Sequence, residues 1–262
     1  MTEPRQPTQP HSSPPVAPEP QPAPAGEAVR PEPRILAVIP AWNEERTIAA
    51  VVEGVRARLP VLVVDDGSQD GTAEVSRRAG ATVVSHEVNR RKGAALMTGF
   101  RWALERGYDA VITLDADGQH DPADVGKLID ALRAGAGDLI IGERTFSQMP
   151  FPRWFTTPFG SFLLSKALGV RVTDNQSGYR LLTRRFLERL QMTSTGYEME
   201  VEMIWEAVRL GMPIGWVPIR TIYLPERKSG FHPFRDTLRF LRMVWHIWRE
   251  RRRHEAQGRA GR

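Results

Sequence analysis

The sequence predicts an α/β fold: a mostly parallel sheet with helices on both faces. Three observations predict it. Five short, continuously apolar runs, ILAVIP, VLVVDD, ATVVS, AVITLD and DLIIGER, fall between Arg34 and Arg144. Runs apolar at every position suit strands buried on both faces, and the helical stretches between them give successive βα units. Polar residues cluster just beyond the runs, at Trp42–Glu44, Asp65–Ser68, Asp115–His120 and Gly142–Arg144. Sheets of this kind bind ligands beyond the carboxyl ends of their strands.

The elements follow in order. ILAVIP is the first strand and NEERTIAAVVEGVRAR the helix after it. VLVVDD pairs with the helix GTAEVSRRA, and ATVVS with KGAALMTGFRWALERG. AVITLD leads to PADVGKLIDALRAG, and DLIIGER closes the regular part. After Arg144 the alternation stops. FPRWFTTPFGSFLLSKALG reads as a loop entering an amphipathic helix and DNQSGYR as a turn. GYEMEVEMIWEAVRLG reads as a helix, PIGWVPIRTIYL as an edge strand or two, and PFRDTLRFLRMVWHIWRERRR as a last helix. No internal repeat is visible. Residues 1–33 carry eleven of the 21 prolines and no Phe, Trp or Tyr. Such a segment buries too little surface to offset its ordering entropy and is expected to be a disordered tail. The predicted organisation is a tail over 1–33, a catalytic domain over 34–225, and a basic amphipathic helix and tail over 226–262.

Composition narrows the function. With 262 residues and 41% hydrophobic content the chain supports a sizeable core. It has no cysteine, which excludes a disulfide framework, a thiolate metal site and a Cys nucleophile. No signal segment and no apolar run of about 18 residues is seen, so no membrane span is expected. The net charge of +5 is uneven: residues 227–262 hold eleven basic and three acidic residues, and the body is near neutral. A basic end suggests a polyanionic surface. Nucleic acid is not expected as the partner, because no nucleic-acid motif accompanies the charge. A dinucleotide oxidoreductase is also not expected, because no GxGxxG follows the first strand.

The densest chemistry is LDADGQHDP, with three acids, an amide and an imidazole between Asp115 and Pro122. Asp115 and Asp117, two apart across the small Ala116, can both offer oxygen to one hard cation, and Gln119 adds a neutral oxygen. Mg²⁺ or Mn²⁺ held by so few groups keeps positions open for phosphates. Asp121 suits the N-cap of the helix that starts near Pro122. VVDDGSQDGT offers a carboxylate able to accept from a base or ribose edge, or a turn with its own cap. Lys92, in NRRKG, opens a helix where charge and backbone amides favour phosphate, or is one of a solvated charge run.

Taken in this order, VIPAWNEE, VVDDGSQDGT, NRRKGAAL, LDADGQHDP, IGER and DNQSGYR resemble family 2 glycosyltransferases of the GT-A fold, above all the dolichyl- and polyprenyl-phosphate sugar synthases. The resemblance covers roughly residues 34–225, and DADGQH is its specific part. It implies that Asp115, Asp117 and Gln119 hold the cation. Pro40, Trp42, Glu44, Asp65 and Asp66 would line the donor pocket, with Ala116 on the same side. Arg144 would meet the donor diphosphate or the acceptor phosphate. Arg153 and Thr157 resemble the pair that meets the acceptor phosphate, with Thr where Ser is usual. Gly178, Tyr179 and Arg180 match an SGFR element on the acceptor side, with Tyr for Phe.

The family implies inverting transfer from a nucleoside-diphosphate sugar of the GDP-mannose or UDP-glucose type, with Asp117, Lys92 and Arg144 as the catalytic set. A phosphate acceptor is already mostly dianionic and needs cations rather than a base. Arg144, Arg153, Lys166, Arg171 and Arg180 supply cations in the acceptor-side segment. A soluble or protein hydroxyl acceptor is the alternative and needs a base, with Glu198 and Glu200 as candidates and Glu202 read as the polar face of its helix. A polyprenyl acceptor requires a bilayer. On a helical wheel Arg239, Arg242, His246, Arg249 and Arg253 share one arc, while Leu238, Phe240, Leu241, Val244, Trp245, Ile247 and Trp248 fill the rest. That reads as an in-plane interfacial helix with RERRR for anionic headgroups. The alternative is packing against the body or a partner subunit, which leaves a homo-oligomer open. Relatives often carry C-terminal membrane spans. This chain is expected to be of the compact, peripheral kind, at the cytosolic face. In PERKSGFHPFRDTLR, Lys228 and Ser229 are candidates for closing over the donor.

Overall fold

The computed structural model describes residues 32–144, 153–194, 196, 198–222, 243–245 and 247–249, with the backbone alone for 153–158. The chain divides into a segment Met1–Glu32 and a body Pro33–Arg262. The tail expected over 1–33 lies almost wholly outside the described residues.

The body is built on one seven-stranded sheet of order β3-β2-β1-β4-β6-β5-β7. Its strands are β1 (Ile35–Ala41), β2 (Val61–Asp65), β3 (Thr82–Ser85), β4 (Ala110–Thr113), β5 (Leu139–Arg144), β6 (Arg180–Thr183) and β7 (Ile214–Ile219). Pairing is parallel except at β6, which runs antiparallel to both β4 and β5. The mostly parallel α/β fold is as expected, with β1 to β5 in the five predicted runs. The insertion of β6 is a finding the sequence reading missed. RLLT is short and its pairing comes wholly from neighbours distant in the chain.

Seven α-helices are described: α1 (Ile48–Arg56), α2 (Thr72–Arg78), α3 (Arg91–Glu105), α4 (Val125–Arg133), α5 (Arg153–Leu168), α6 (Arg184–Leu187) and α7 (Met199–Arg209). Every residue of β1 is buried, and alternate residues feed two cores. Leu36 and Val38 face α3, α5 and α7, packing with Phe100, Leu164 and Ile204. Ile35, Ala37 and Ile39 face α1 and α4, packing with Val52 and Leu128. Burial of aliphatic side chains at about 25 cal/mol per Å² on both faces is the main driving force of such a sheet. Gly99 lets α3 lie close on β1, since a Cβ there would stand 2.4 Å from Val38 Cγ1.

The reversal of β6 is what shapes the site. A parallel strand would present its last residue at the carboxyl edge; β6 presents its first. Thr113 pairs with Arg180, so the chain continuing from β4 to Asp115 runs opposite the chain entering β6 through Gly178. The Thr113 hydroxyl donates to the Gly178 carbonyl at 2.7 Å and fastens the two segments.

Candidate active site

The site lies at the carboxyl edge of β1, β2, β4 and β5, with the entry to β6 and the starts of α3 and α7 beside it. Lys92 is the second residue of α3, as expected, and its ammonium stands 2.6 Å from Asp115 Oδ1 and 2.9 Å from Glu200 Oε1. Burial opposes the Lys92 charge, but the two carboxylates outweigh it and hold its pKa well above the ordinary lysine value. Burial likewise works against ionised Asp115, and the Lys92 ammonium overrides it, so this carboxyl stays well below the usual range.

His120 closes the loop after β4. Its Nδ1 accepts from the Asp115 amide at 3.2 Å, which leaves the proton on Nε2, 3.8 Å from Asp115 Oδ2. Burial lowers the imidazole pKa and favours the neutral ring. The ring packs on Tyr179 with centroids 5.1 Å apart. Gly118 takes φ +75° and turns the chain so that the Gln119 amide donates to Asp117 Oδ1 at 3.0 Å. The loop is tied down by its bonds to the strand-edge segment beyond β7: Ile222 N donates to the Gln119 carbonyl at 2.9 Å. Asp121 accepts from Ala123 N at 3.0 Å and caps the following 3-10 turn as expected.

Whether the acids fit a divalent cation is decided by room and donor type. A Cβ on residue 178 would stand 2.8 and 2.9 Å from the two Asp115 oxygens, so the glycine keeps the carboxylate face clear. The ligand atoms on offer are two carboxylates and the Gln119 amide oxygen, the hard set that Mg²⁺ and Mn²⁺ prefer. No cluster of three His, Cys, Asp or Glu side chains spaced for a metal exists among the described residues. Asp115, Asp117 and Gln119 would offer two carboxylates and an amide oxygen, a share that suits a cation also taking substrate oxygens.

The other strand ends form a second wall. Asn43, at φ 55°, donates its amide to Ser68 Oγ and accepts from Gln69 N with its side chain. Glu44 N donates to Thr72 Oγ1 at 2.8 Å, and Thr47 Oγ1 donates to the Ala116 carbonyl at 2.8 Å. These bonds zip the loop after β1 to the turn after β2 and to the acidic loop. Pro40 ends inside buried β1, whereas Trp42 stands 54% exposed at the rim. Asp65 accepts from Ser68 N at 3.2 Å. Asp66 is buried and turned toward the loop before α3, where one oxygen accepts from Arg90 N at 2.9 Å and pairs with His86 Nδ1 at 2.7 Å. Asp66 thus positions the loop that leads into α3 and Lys92.

Arg144, at the end of β5, forms a two-point pair with Asp174: Nε to Oδ2 at 2.7 Å and Nη2 to Oδ1 at 2.9 Å. Tyr179 and Arg180 are buried. Arg180 donates to the carbonyls of Ser177 at 2.7 Å and Glu200 at 2.6 Å, and burial pulls its pKa down to about 10. Their side chains brace the wall that Gly178 presents, where the sequence reading placed them at an acceptor. The side chains of Arg153 and Thr157 lie outside the described residues, as do Lys228 and Ser229; the backbone of 153 and 157 is in α5. Glu202 accepts from Thr193 and Ser194 and holds the loop before α7.

Sequence reasoning misses the part that three residues play in the site. His120 sat inside the quoted motif without a role. Asp174 was read only as part of a turn. Glu200 was read as a candidate base, and its partnership with Lys92 spans 108 residues, a pairing no local pattern reports.

Comparison with known proteins identifies the family. The family model described as Glycosyl transferase family 2 matches residues 36–191. The chain belongs to glycosyl transferase family 2. Among curated relatives of this glycosyltransferase, a polyprenol monophosphomannose synthase from Mycolicibacterium smegmatis is 35% identical, over 79% of this chain and 84% of that protein. An undecaprenyl-phosphate mannosyltransferase from Micrococcus luteus is 36% identical over 75% and 86% respectively. Among solved structures, glucosyl-3-phosphoglycerate synthase from Mycobacterium tuberculosis, in complex with Mn²⁺, UDP and glucosyl-3-phosphoglycerate, superposes with a TM-score of 0.65. It is 25% identical, over 82% of this chain and 78% of that one. The glycosyltransferase therefore has the GT-A fold that the sequence resemblance implied.

Proposed function

We propose that this glycosyltransferase moves a sugar from a nucleoside-diphosphate donor to a polyprenyl phosphate, with inversion and with a divalent cation, at the cytosolic face of a membrane. The observation that carries the reading is the gathering of Asp115, Asp117, Lys92 and Arg144 at one edge of the sheet. Two acids suited to a cation stand there beside two cationic side chains. The acceptor class is supported by the relatives, two of which are named for polyprenol or undecaprenyl phosphate.

Asp115, Asp117 and Gln119 are the residues that would hold Mg²⁺ or Mn²⁺. A bound cation supplies charge neutralisation of the leaving diphosphate. Lys92 and Arg144 add preorganised positive charge there, and Asp174 keeps the Arg144 guanidinium aimed. Pro40, Trp42, Glu44, Asp65 and Ala116 frame the donor side. Arg153 and Thr157 are proposed for the acceptor phosphate, with Gly178 leaving room for it. A phosphate dianion needs no general base. Two of the three acids of GYEMEVEM agree with that: Glu200 is paired with Lys92 and Glu202 with Thr193 and Ser194, which leaves Glu198 as the base that a hydroxyl acceptor would need.

The membrane side is supported by exposed aromatics. Trp245 stands 58% exposed beside Trp248, and Arg249 lies 5.4 Å over the Trp245 ring, while Ile247 is buried against the body. Phe159 and Phe162 are exposed on α5. No helix among the described residues is long and apolar enough to cross a membrane.

The test is a transfer assay with GDP-mannose and UDP-glucose against undecaprenyl phosphate in detergent, with Mn²⁺ or EDTA, alongside a soluble phosphate acceptor. Lipid-linked product that EDTA abolishes is expected. Transfer to the soluble acceptor alone would refute the lipid assignment, and transfer unaffected by EDTA or by Asp117→Asn would refute the cation.

A further inference from the structure

The two carboxylates around Lys92 are not equivalent. Asp115 sits on the loop that would hold the cation, and its Oδ1 is already 2.6 Å from the Lys92 ammonium. Glu200 comes from the first turn of α7, is 5% exposed, and holds the same ammonium through Oε1 alone. Its Oε2 is buried and has no hydrogen-bond partner among the described residues. An unpaired buried carboxylate oxygen is costly, and such an atom in a site calls for an explanation. The peptide group of Glu200 does not move freely, because the buried Arg180 donates to its carbonyl at 2.6 Å. Lys92 does have freedom: its stem is flexible, its side chain is 28% exposed, and an ammonium carries three donors.

We propose that Lys92 is the resident counter-ion of Asp115 and moves wholly onto Glu200 when a divalent cation takes that carboxylate. Glu200 is then a positioning residue of the transfer. The inference rests on the cation reading of Asp115 and Asp117. In the cation-free protein the ammonium bridges Asp115 and Glu200 and neutralises a carboxylate that burial would otherwise penalise. A divalent cation and an ammonium repel each other at one carboxylate. The freed ammonium has the second Glu200 oxygen to bind, which gives Oε2 its partner. Lys92 thereby stays at the edge of the site, in the first turn of α3, facing a diphosphate. Without Glu200 it would remain on Asp115 and compete with the cation.

The simpler reading is that Glu200 only fastens α7 to α3. The two readings differ in the sign of their effects on metal affinity. The experiment titrates Mn²⁺, followed by electron paramagnetic resonance of the free ion, into the nucleotide-free full chain. Wild type, Lys92→Met, Glu200→Gln and the double variant are compared, each checked for folding by its melting temperature. Lys92→Met keeps the apolar stem and is expected to bind Mn²⁺ roughly tenfold more tightly, because a like charge is removed next to the ion. Glu200→Gln is expected to bind it several-fold more weakly. In the double variant the Glu200 effect vanishes and affinity matches Lys92→Met, since Glu200 acts through Lys92. Equal or weaker binding by Lys92→Met would overturn the proposal. So would a Glu200→Gln effect of the same size with and without Lys92, which marks a direct charge effect. A melting-temperature loss in Glu200→Gln with unchanged Mn²⁺ affinity would leave the simpler reading in its place. The same titration with UDP or GDP separates the two levels. Mn²⁺ binding there by wild type, with no response to Lys92→Met in the free protein, overturns the relay and keeps the cation reading. No Mn²⁺ binding by any form overturns both.

Discussion

At position 178 a methyl group would fall 2.8 Å from Asp115 Oδ2 and 2.9 Å from Lys92 Nζ. Both contacts are closer than any relaxed structure allows, and both are to side-chain ends that can swing. The expected result for Gly178→Ala is therefore a folded protein with a displaced Asp115–Lys92 pair. Transfer should fall roughly a hundredfold, the loss typical of a misplacement of about 1 Å at a reacting centre, while stability shifts by about 1 kcal/mol. Steady-state rates and urea unfolding of the variant check this; near wild-type kinetics would show that the carboxylate face does not need the space. At this scale the acidic loop was legible in the sequence because its residues act within a few positions of one another. The same locality explains the misreadings. Asp65 and Asp66 are neighbours in the chain and both buried, yet the first accepts from Ser68 N in its own turn and the second from Arg90 N in the loop before α3, a partner that only the β3–α3 connection brings within reach.

β1, β2, β4 and β5 are readable because strands buried on both faces leave uninterrupted apolar runs; β3, an edge strand with exposed ends, is readable from its β-branched residues and its place between two helical stretches. β6 left no such trace. It is four residues long, opens with an arginine that is 1% exposed, and owes its existence to two neighbours already in the sheet. Its entry segment carries Asp174, whose two-point pair with Arg144 ties the end of β5 to the DNQSG turn. Burial raises the Asp174 pKa, but the Arg144 hydrogen bonds and charge outweigh that and hold it below the usual carboxyl value. A carboxyl with a depressed native pKa stabilises fully above its unfolded value of about 3.9. That contribution is lost as pH falls through the native value. Asp174→Asn is expected to cost about 3 kcal/mol at pH 7, the scale for breaking a buried ion pair on one side. It should also flatten the acid limb of the stability curve below about pH 4. Denaturant midpoints measured from pH 3 to 7 decide it; matching curves for wild type and variant would show that the pair carries no stability.

On the whole molecule, charge and aromatics separate by place. The acids gather at the carboxyl edge of the sheet, while Trp245 and Trp248, two of the exposed tryptophans, and most of the excess positive charge belong to the last 36 residues. If that end is the proposed bilayer contact, Trp245→Ser with Trp248→Ser should weaken binding to anionic vesicles roughly tenfold or more, as loss of interfacial aromatic area predicts. Melting temperature should change much less than vesicle binding, because Trp245 and Trp248 are 58% and 40% exposed. Vesicle co-sedimentation in low and high salt measures it, and undiminished binding by the double variant would place the membrane contact elsewhere. The order of the sheet, β3-β2-β1-β4-β6-β5-β7, also sets a calendar for synthesis. The first four strands are complete once residue 113 has been made, but β4 then has an unpaired edge, and β5 has no place beside it until Arg180–Thr183 arrives. A growing chain therefore carries its acidic loop on an open strand edge, the kind of surface that invites wrong partners. Sheet closure, the covering of that edge and the arrival of Gly178 opposite Asp115 are one late event, so an unfinished chain has no assembled site with which to turn over the donor.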